Sequence, residues 1–182
     1  MIRTPLGVHV LLALAALTAL AICIPDGIQR SLALYQPPEM VVPQTINLSA
    51  VEIETQVLDL VNAQRQQAGL CPLKASSTLV GIARTRSQDM AARGALSHHD
   101  PETYELAAFK LLAQEGLHGG GENLYLAQGL TEGVPQAVVT WWMGSRTHRA
   151  NLLGSDYGYT GVGVALGPDR EVYVTQILLQ AQ

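Results

Sequence analysis

The strongest hydrophobic pattern in the chain is an uninterrupted apolar segment near its start. Residues 4–25 contain no Asp, Glu, Lys or Arg, and Arg3 directly precedes them. A helix of about 20 apolar residues crosses a bilayer, and a basic start before an apolar centre is also typical of a secretory signal peptide. Ala19-Leu20-Ala21 would serve as its cleavage site. We therefore predict that residues 1–25 are a signal peptide or a transmembrane anchor. Their length favours the anchor, and a buried core helix is a weaker third interpretation.

The next segment, residues 26–48, has the pattern of a linker. Gly27, Pro37-Pro38 and Pro43 interrupt any helix, and no regular spacing of apolar residues connects them. The cationic end of an apolar anchor stays on the cytoplasmic side of a membrane. The sequence therefore predicts a domain outside the cytoplasm, either anchored to the membrane through residues 1–48 or secreted.

A helical pattern starts at Ser49. Ser49 and Glu52 have the spacing of a capping box, and Gly69 is a typical terminator. Between them, apolar residues recur on one face of a helix. This stripe consists of Ile53, Val57, Leu60, Val61 and Ala68.

Three more helices are predicted downstream. One runs from about Ser77 to Arg93 and ends at Gly94. Another is expected to open at Asp100-Pro101, an N-cap followed by proline at the first helical position, and to continue to about Gln114. The last starts at Pro135 and is expected to turn three side chains inward, those of Val138, Trp141 and Trp142.

The end of the chain changes to the period of a β-strand. Val162, Val164 and Leu166 alternate with small residues, and a second β-rich run follows at 172–179. The intervening residues 167–170 contain the glycine, proline and aspartate that favour a turn. A β-hairpin is therefore predicted here.

Composition narrows the class of protein. The 182 residues suffice for one ordinary domain with a short extension, and a 48% hydrophobic content excludes a disordered chain. The formal charge of −4 disfavours nucleic acid as a partner. Only Cys23 and Cys71 are present, so the chain is not a disulfide scaffold, and Cys71 is expected to be a small buried apolar side chain.

Polar residues that could carry chemistry fall in four places. Two histidines and a carboxylate, His98, Glu122 and His148, are ligand types that suit zinc. Glu122 follows His98 by 24 residues and precedes His148 by 26, and these separations match no local metal motif. Spacing alone therefore favours capping and packing roles. Ser145 and His148 are one helical turn apart, the better geometry for a nucleophile and its base, yet no Gly-x-Ser-x-Gly motif occurs. The four places are 97–100, 122–123, 145–149 and 173–176.

These groups occur, in order, within motifs that resemble the CAP superfamily. Its members, also called SCP-domain proteins, include cysteine-rich secretory proteins, venom allergens and plant pathogenesis-related proteins, and the bacterial branch is the most similar. The resemblance covers residues 54–179. Its motifs are LDLVNAQR at 58–65, LSHHDP at 96–101, GENL at 121–124, WMGS at 142–145, HRANLL at 148–153, GVGVA at 161–165 and YVTQ at 173–176.

The resemblance implies an α+β fold for residues 49–182. This fold is a three-layer α-β-α sandwich with a small, largely antiparallel sheet, preceded here by the N-terminal hydrophobic helix. The resemblance also implies a shallow cavity with two histidines and two acids, which binds divalent metal in some members. His98 matches the first histidine position and Glu122 the first acid position.

Two of the four positions depart from the family pattern. The second acid falls near Gly144 or Ser145, and the second histidine falls at Tyr173. The bacterial pattern carries a histidine at His148. The predicted metal ligands are thus His98, Glu122 and His148, a set of three that leaves one coordination position open. The whole predicted cleft consists of His98, Glu122, Asn123, Ser145, His148 and Tyr173.

Three functions follow from the resemblance. The first is a non-enzymatic binding module outside the cytoplasm, whose polar cleft takes a lipid, a cell-envelope ligand or, weakly, a divalent metal such as zinc. The second is a protease-like hydrolase that uses the histidines and Glu122. The third is a structural protein of the cell envelope that binds wall polymer or a partner. Catalysis is left open and is the less favoured interpretation.

Overall fold

The computed structural model describes residues 47–129 and 131–181. The predicted N-terminal anchor or signal, and residues 26–46 of the linker, lie outside the described residues. In the part that is described, no helix combines the length and the apolar character needed to span a bilayer. The elements there are α1 (Ala50–Gln67), β1 (Lys74–Ala75), α2 (Ser77–Arg93), α3 (Ala107–Gln114), β2 (Gly121–Gln128), α4 (Val134–Gly144), α5 (Arg146–Leu152), β3 (Tyr157–Leu166) and β4 (Glu171–Gln180).

Helices α1 and α2 begin and end at the predicted signals. Ser49 caps α1 by accepting a hydrogen bond from the Glu52 amide, and the Glu52 carboxylate accepts one from the Ser49 amide at 2.7 Å. At the end of α2, Gly94 adopts a left-handed conformation with φ 62°. These local signals fix the helix bounds because each supplies a partner for a backbone group that the helix leaves unpaired.

The four strands form one sheet in the order β1-β3-β4-β2. The predicted hairpin is present as β3 and β4, and β2 pairs antiparallel with β4, so that Asn123 lies opposite Gln176. Only the short β1 is parallel to its neighbour. β2 is therefore an edge strand, and it carries the predicted site residues Glu122 and Asn123.

Helices cover both faces of this sheet. One core cluster joins α1 and α4 to the first face, and a second joins α2 and α3 to the other. Gly161 and Gly163 let α2 lie directly on β3, since an added Cβ would come within 2.1 and 2.2 Å of the α2 backbone. The predicted three-layer α-β-α sandwich with a largely antiparallel sheet is confirmed.

Helix α3 starts later than predicted. Asp100 does accept hydrogen bonds from the amides of Glu102 and Thr103, as an N-cap would. Tyr104, however, has a φ of 58°, which a right-handed helix does not allow. Residues 101–103 therefore form only a turn, and α3 begins at Ala107.

Two predicted burials are wrong. Trp142 is 0% exposed, whereas Trp141 is 50% exposed. Successive helical residues point about 100° apart, so these two rings cannot both face the core. Cys71 is also exposed. What ties its loop to the domain is its backbone carbonyl, which accepts a hydrogen bond from Arg65 Nε at 2.9 Å.

Candidate functional site

Glu122, near the start of β2, is the centre of the candidate site. Its side chain is only 5% exposed. One carboxylate oxygen accepts a hydrogen bond from Arg86 Nε at 2.9 Å, and the other lies 2.6 Å from His98 Nδ1. Both oxygens therefore have charge-assisted or polar partners, and the buried anion is balanced by a buried guanidinium.

Arg86 is the functional residue that the sequence interpretation missed. Its side chain is 1% exposed, and Nη2 donates to the carbonyl of Ser97 at 2.5 Å. Arg86 thus joins α2 to Glu122 and to the loop that presents His98. A signal was available, because Arg86 lies within the apolar stripe of α2, where an unpaired charge would be costly. That buried stripe consists of Leu79, Ile82, Ala83, Arg86, Ser87, Met90 and Ala91.

Buried amides connect the site to β4 and α5. Asn123 Nδ2 donates to Gln176 Oε1 at 3.0 Å, and Asn123 Oδ1 accepts from Asn151 Nδ2 at 2.9 Å. Asn151 also lies 3.3 Å from the carbonyl of Glu122. Asn123 is fully buried, so its role here is to hold β2 against α5, which carries His148.

His148 is half-buried near the start of α5. Its Nδ1 lies 2.8 Å from Ser145 Oγ, and its ring packs on Trp141 with the ring centres 4.7 Å apart. Burial lowers the pKa of the His148 imidazole, and repulsion from the charge of His98 lowers this pKa further. The His148 carbonyl lies 3.4 Å from Nδ2 of Asn123, which places His148 beside the residue that follows Glu122 on β2. We call His98, Glu122, Ser145 and His148 the polar cluster.

The lowered pKa of His148 predicts a loss of stability in mild acid. The unfolded chain binds a proton at His148 near pH 6.5, before the folded protein does. The free energy of unfolding should therefore fall as the pH drops below about 6.5 towards the lowered pKa of the folded protein. Chemical denaturation near pH 7.5 and pH 5.5 measures this loss, which should be smaller in His148→Gln than in the parent.

Titration of Asp100 does not contribute to the change in stability between pH 7.5 and pH 5.5. Hydrogen bonds from the amides of Thr103 and Glu102, and then Lys110, lower the pKa of Asp100 to about 2. Its contribution to stability is complete above its ordinary pKa of 3.8 and disappears only towards pH 2. Equal losses of stability in the parent and in His148→Gln would contradict the assignment of the effect to His148.

Tyr173 occupies a different environment from the polar cluster. It is 1% exposed and belongs to a core cluster between α2 and the sheet. Its neighbours there are apolar, so its side chain is a packing element at this point of β4. The members of that cluster are Met90, Ala91, Leu124, Ala165 and Tyr173.

The predicted metal ligands do not fit a metal ion in this arrangement. Within residues 47–129 and 131–181, no group of three or more His, Cys, Asp or Glu side chains is arranged to hold one. Glu122, the carboxylate of the predicted set, already contacts Arg86 and His98 through its two oxygens. A cationic guanidinium beside the carboxylate also opposes a second cation there.

Known proteins resemble this chain in both sequence and fold. Residues 58–178 match the model of CAP, the cysteine-rich secretory protein family. The chain is 38% identical over 112 residues to the uncharacterized protein YkwD of Bacillus subtilis, covering 60% of this chain and 41% of that protein. It is 33% identical over 128 residues to the uncharacterized membrane protein YlbC of the same species, and this match covers 69% of this chain and 34% of YlbC. An extracellular SCP-domain protein of Bacillus anthracis has a similar fold, with a TM-score of 0.57 and 24% identity over 72% of this chain and 41% of that one.

The α-β-α sandwich is the fold that the SCP-domain protein of Bacillus anthracis also has. The family match covers more than half of the 182 residues, and the chain belongs to the CAP family of cysteine-rich secretory proteins. The resemblance to the bacterial branch of this family is confirmed. The chain spans less than half the length of each of these three relatives.

Proposed function

We propose that this CAP domain is a non-catalytic binding module whose ligand contacts the polar cluster. The observation that carries this proposal is the environment of Glu122. Arg86 and His98 engage both of its carboxylate oxygens, and Arg86 is itself buried. A general base must be free to accept a proton from the reacting group. A carboxylate fixed by two partners is better suited to hold neighbouring groups in a constant arrangement for a ligand.

The polar character of the cluster favours a polar ligand. The imidazoles of His98 and His148 and the hydroxyl of Ser145 can form hydrogen bonds with a ligand that carries hydroxyls or amides. A lipid would instead need a continuous apolar surface next to these groups. We therefore favour a polar component of the cell envelope as the ligand, with a lipid as the alternative.

The proposed site of action is outside the cytoplasm. The apolar residues 4–25 behind Arg3 support this location, since they suit a signal or an anchor. The Bacillus anthracis relative is described as extracellular and YlbC as a membrane protein, which agrees with such a location.

A hydrolase is the second candidate, and one contact favours it. Ser145 Oγ lies 2.8 Å from His148 Nδ1, within the reach of a nucleophile and its base. The lowered pKa of His148 would keep this base neutral near pH 7. A nucleophile–base pair also needs a third group that orients the base. Among the described residues, no carboxylate forms a hydrogen bond with the His148 ring, which weakens the hydrolase interpretation. Covalent labelling of Ser145 by a fluorophosphonate, absent in Ser145→Ala, would support the hydrolase and contradict the binding module.

The binding module is tested with the full chain, isolated from its own cells in mild detergent. Mass spectrometry of the extracted small molecules should find an envelope component with the parent and much less of it with Glu122→Gln. Glu115→Gln, which changes an exposed carboxylate, is the matched control and should retain the ligand. Protease added to the intact cells before lysis should remove the domain. Equal extracts from all three proteins, or a domain that is protected until lysis, would contradict the proposal.

A further inference from the structure

Trp141 is half exposed, although the neighbouring Trp142 is completely buried. Its indole contacts two other aromatic rings, Tyr125 on β2 and His148 on α5. We call these three rings the aromatic platform. We propose that the aromatic platform binds the sugar rings of an acidic polysaccharide. This inference rests on the proposed function, because His148 belongs to both the platform and the polar cluster.

The geometry of the platform fixes the exposed indole in place. The rings of Tyr125 and Trp141 meet edge to face, with centres 5.7 Å apart and an angle of 64° between their planes. The His148 ring lies 4.7 Å from Trp141 at an angle of 52°. Contacts with two neighbouring rings restrict rotation of the indole, so little conformational entropy is lost when a ligand stacks on it.

The surroundings of Trp141 suit a sugar better than a lipid or a protein. In residues 131–156, no other large apolar side chain is exposed, and Leu126, 39% exposed on β2, lies on the opposite face of the sheet from Tyr125. A stable protein interface buries about 800 Å² on each partner, and an acyl chain needs a longer apolar path than one ring supplies. A sugar ring has one face of C–H groups that stacks on an aromatic ring and a rim of hydroxyls. Thr147 lies on α5 with His148, and Ser145 is the residue just before this helix. Their hydroxyl oxygens are 3.2 Å apart and could bond the hydroxyls of a sugar.

The local charge favours an acidic ligand. Residues 133–155 contain no Asp or Glu, and the nearby Glu122 is buried and paired with Arg86, whereas the whole chain carries a formal charge of −4. Arg146 and Arg149, both exposed, lie in this segment, on α5. Guanidinium groups bind carboxylates through strong, often paired hydrogen bonds. The ligand class that satisfies both the ring and the charge is a polysaccharide whose sugars carry carboxylates.

Titration of the full chain with polygalacturonate, in mild detergent, tests the inference. We expect binding by the parent and about tenfold weaker binding by Trp141→Ala, the loss typical of a central aromatic contact. Trp141→Phe keeps a ring for stacking and should bind more tightly than Trp141→Ala. Leu166→Ala removes an exposed apolar side chain elsewhere and should bind like the parent. Fluorescence of the buried Trp142 verifies that each variant is folded.

Two further probes separate the ring from the charge. Dextran, a neutral polysaccharide, and polyglutamate, an acidic polymer without sugars, should each bind more weakly than polygalacturonate. Unchanged binding in Trp141→Ala, or equal binding of polyglutamate, would overturn the inference. A parent that retains an envelope component but does not bind polygalacturonate would overturn the inference alone. A parent that retains no envelope component would contradict the proposed function instead.

Discussion

Replacing Glu122 by Ala is expected to lower the free energy of unfolding by about 3–5 kcal/mol, the usual effect of removing one partner of a buried ion pair. Arg86 is 1% exposed, and without Glu122 its buried charge would keep the more distant and partly exposed carboxylate of Asp89, which lies 3.6 Å from Nη1. The loop that carries His98 would lose its hydrogen bond to the carboxylate as well. Urea denaturation of the full chain in mild detergent, monitored by far-ultraviolet circular dichroism, measures the change.

Two variants distinguish the missing charge partner from other effects of the substitution. Glu132→Ala removes an exposed carboxylate and should change the free energy of unfolding by less than about 0.5 kcal/mol. The double variant Arg86→Met with Glu122→Leu removes both charges, and it should recover most of the stability lost in Glu122→Ala. A double variant no more stable than Glu122→Ala would show that the pair is not the source of the loss.

Trp142→Ala is expected to cost a similar amount, about 3–5 kcal/mol. The Trp142 ring fills the core between α4 and the sheet, and its Nε1 donates to the carbonyl of Leu124 at 3.0 Å. The substitution therefore creates a cavity and leaves a buried carbonyl without its donor. Urea denaturation of the full chain measures this loss of unfolding free energy.

The neighbouring tryptophan provides the matched control. Trp141→Ala removes the same side chain from a half-exposed position and should cost less than about 1 kcal/mol. Trp142→Phe keeps most of the apolar volume but lacks the N–H group. Its loss of unfolding free energy should therefore lie between those of Trp141→Ala and Trp142→Ala, at about 1–3 kcal/mol. Equal losses for Trp141→Ala and Trp142→Ala would refute the placement of α4.

The parts of the fold that depend on neighbouring residues are the ones that the sequence predicted well. The Ser49–Glu52 capping box and Gly94 specify where α1 and α2 begin and end, because a cap and its partner are a few residues apart. The hairpin of β3 and β4 is equally local. The late start of α3 was missed because Tyr104 adopts a left-handed φ that no residue type signals.

The parts that depend on distant residues were harder to predict. β2 was not predicted, because its first residues are polar and its pairing with β4 joins residues about 50 positions apart. The contacts of Glu122 with Arg86 and His98 join residues 36 and 24 positions away. Spacing alone favoured structural roles for these groups, and the family resemblance was needed to select His98 and Glu122. Arg86 lay outside the quoted motifs and was found only from its contacts.

The position of β2 at the edge of the sheet affects how the protein avoids association with other chains. An edge strand exposes unpaired backbone groups that a strand from another molecule can join. Here the outward carbonyls of Glu122 and Leu124 are occupied by the side chains of Asn151 and Trp142. The helices that build the candidate site therefore also shield this strand from edge-to-edge pairing. Substitutions that loosen α4 or α5 should uncover the edge, so the contacts that hold the candidate site are also expected to keep the protein soluble.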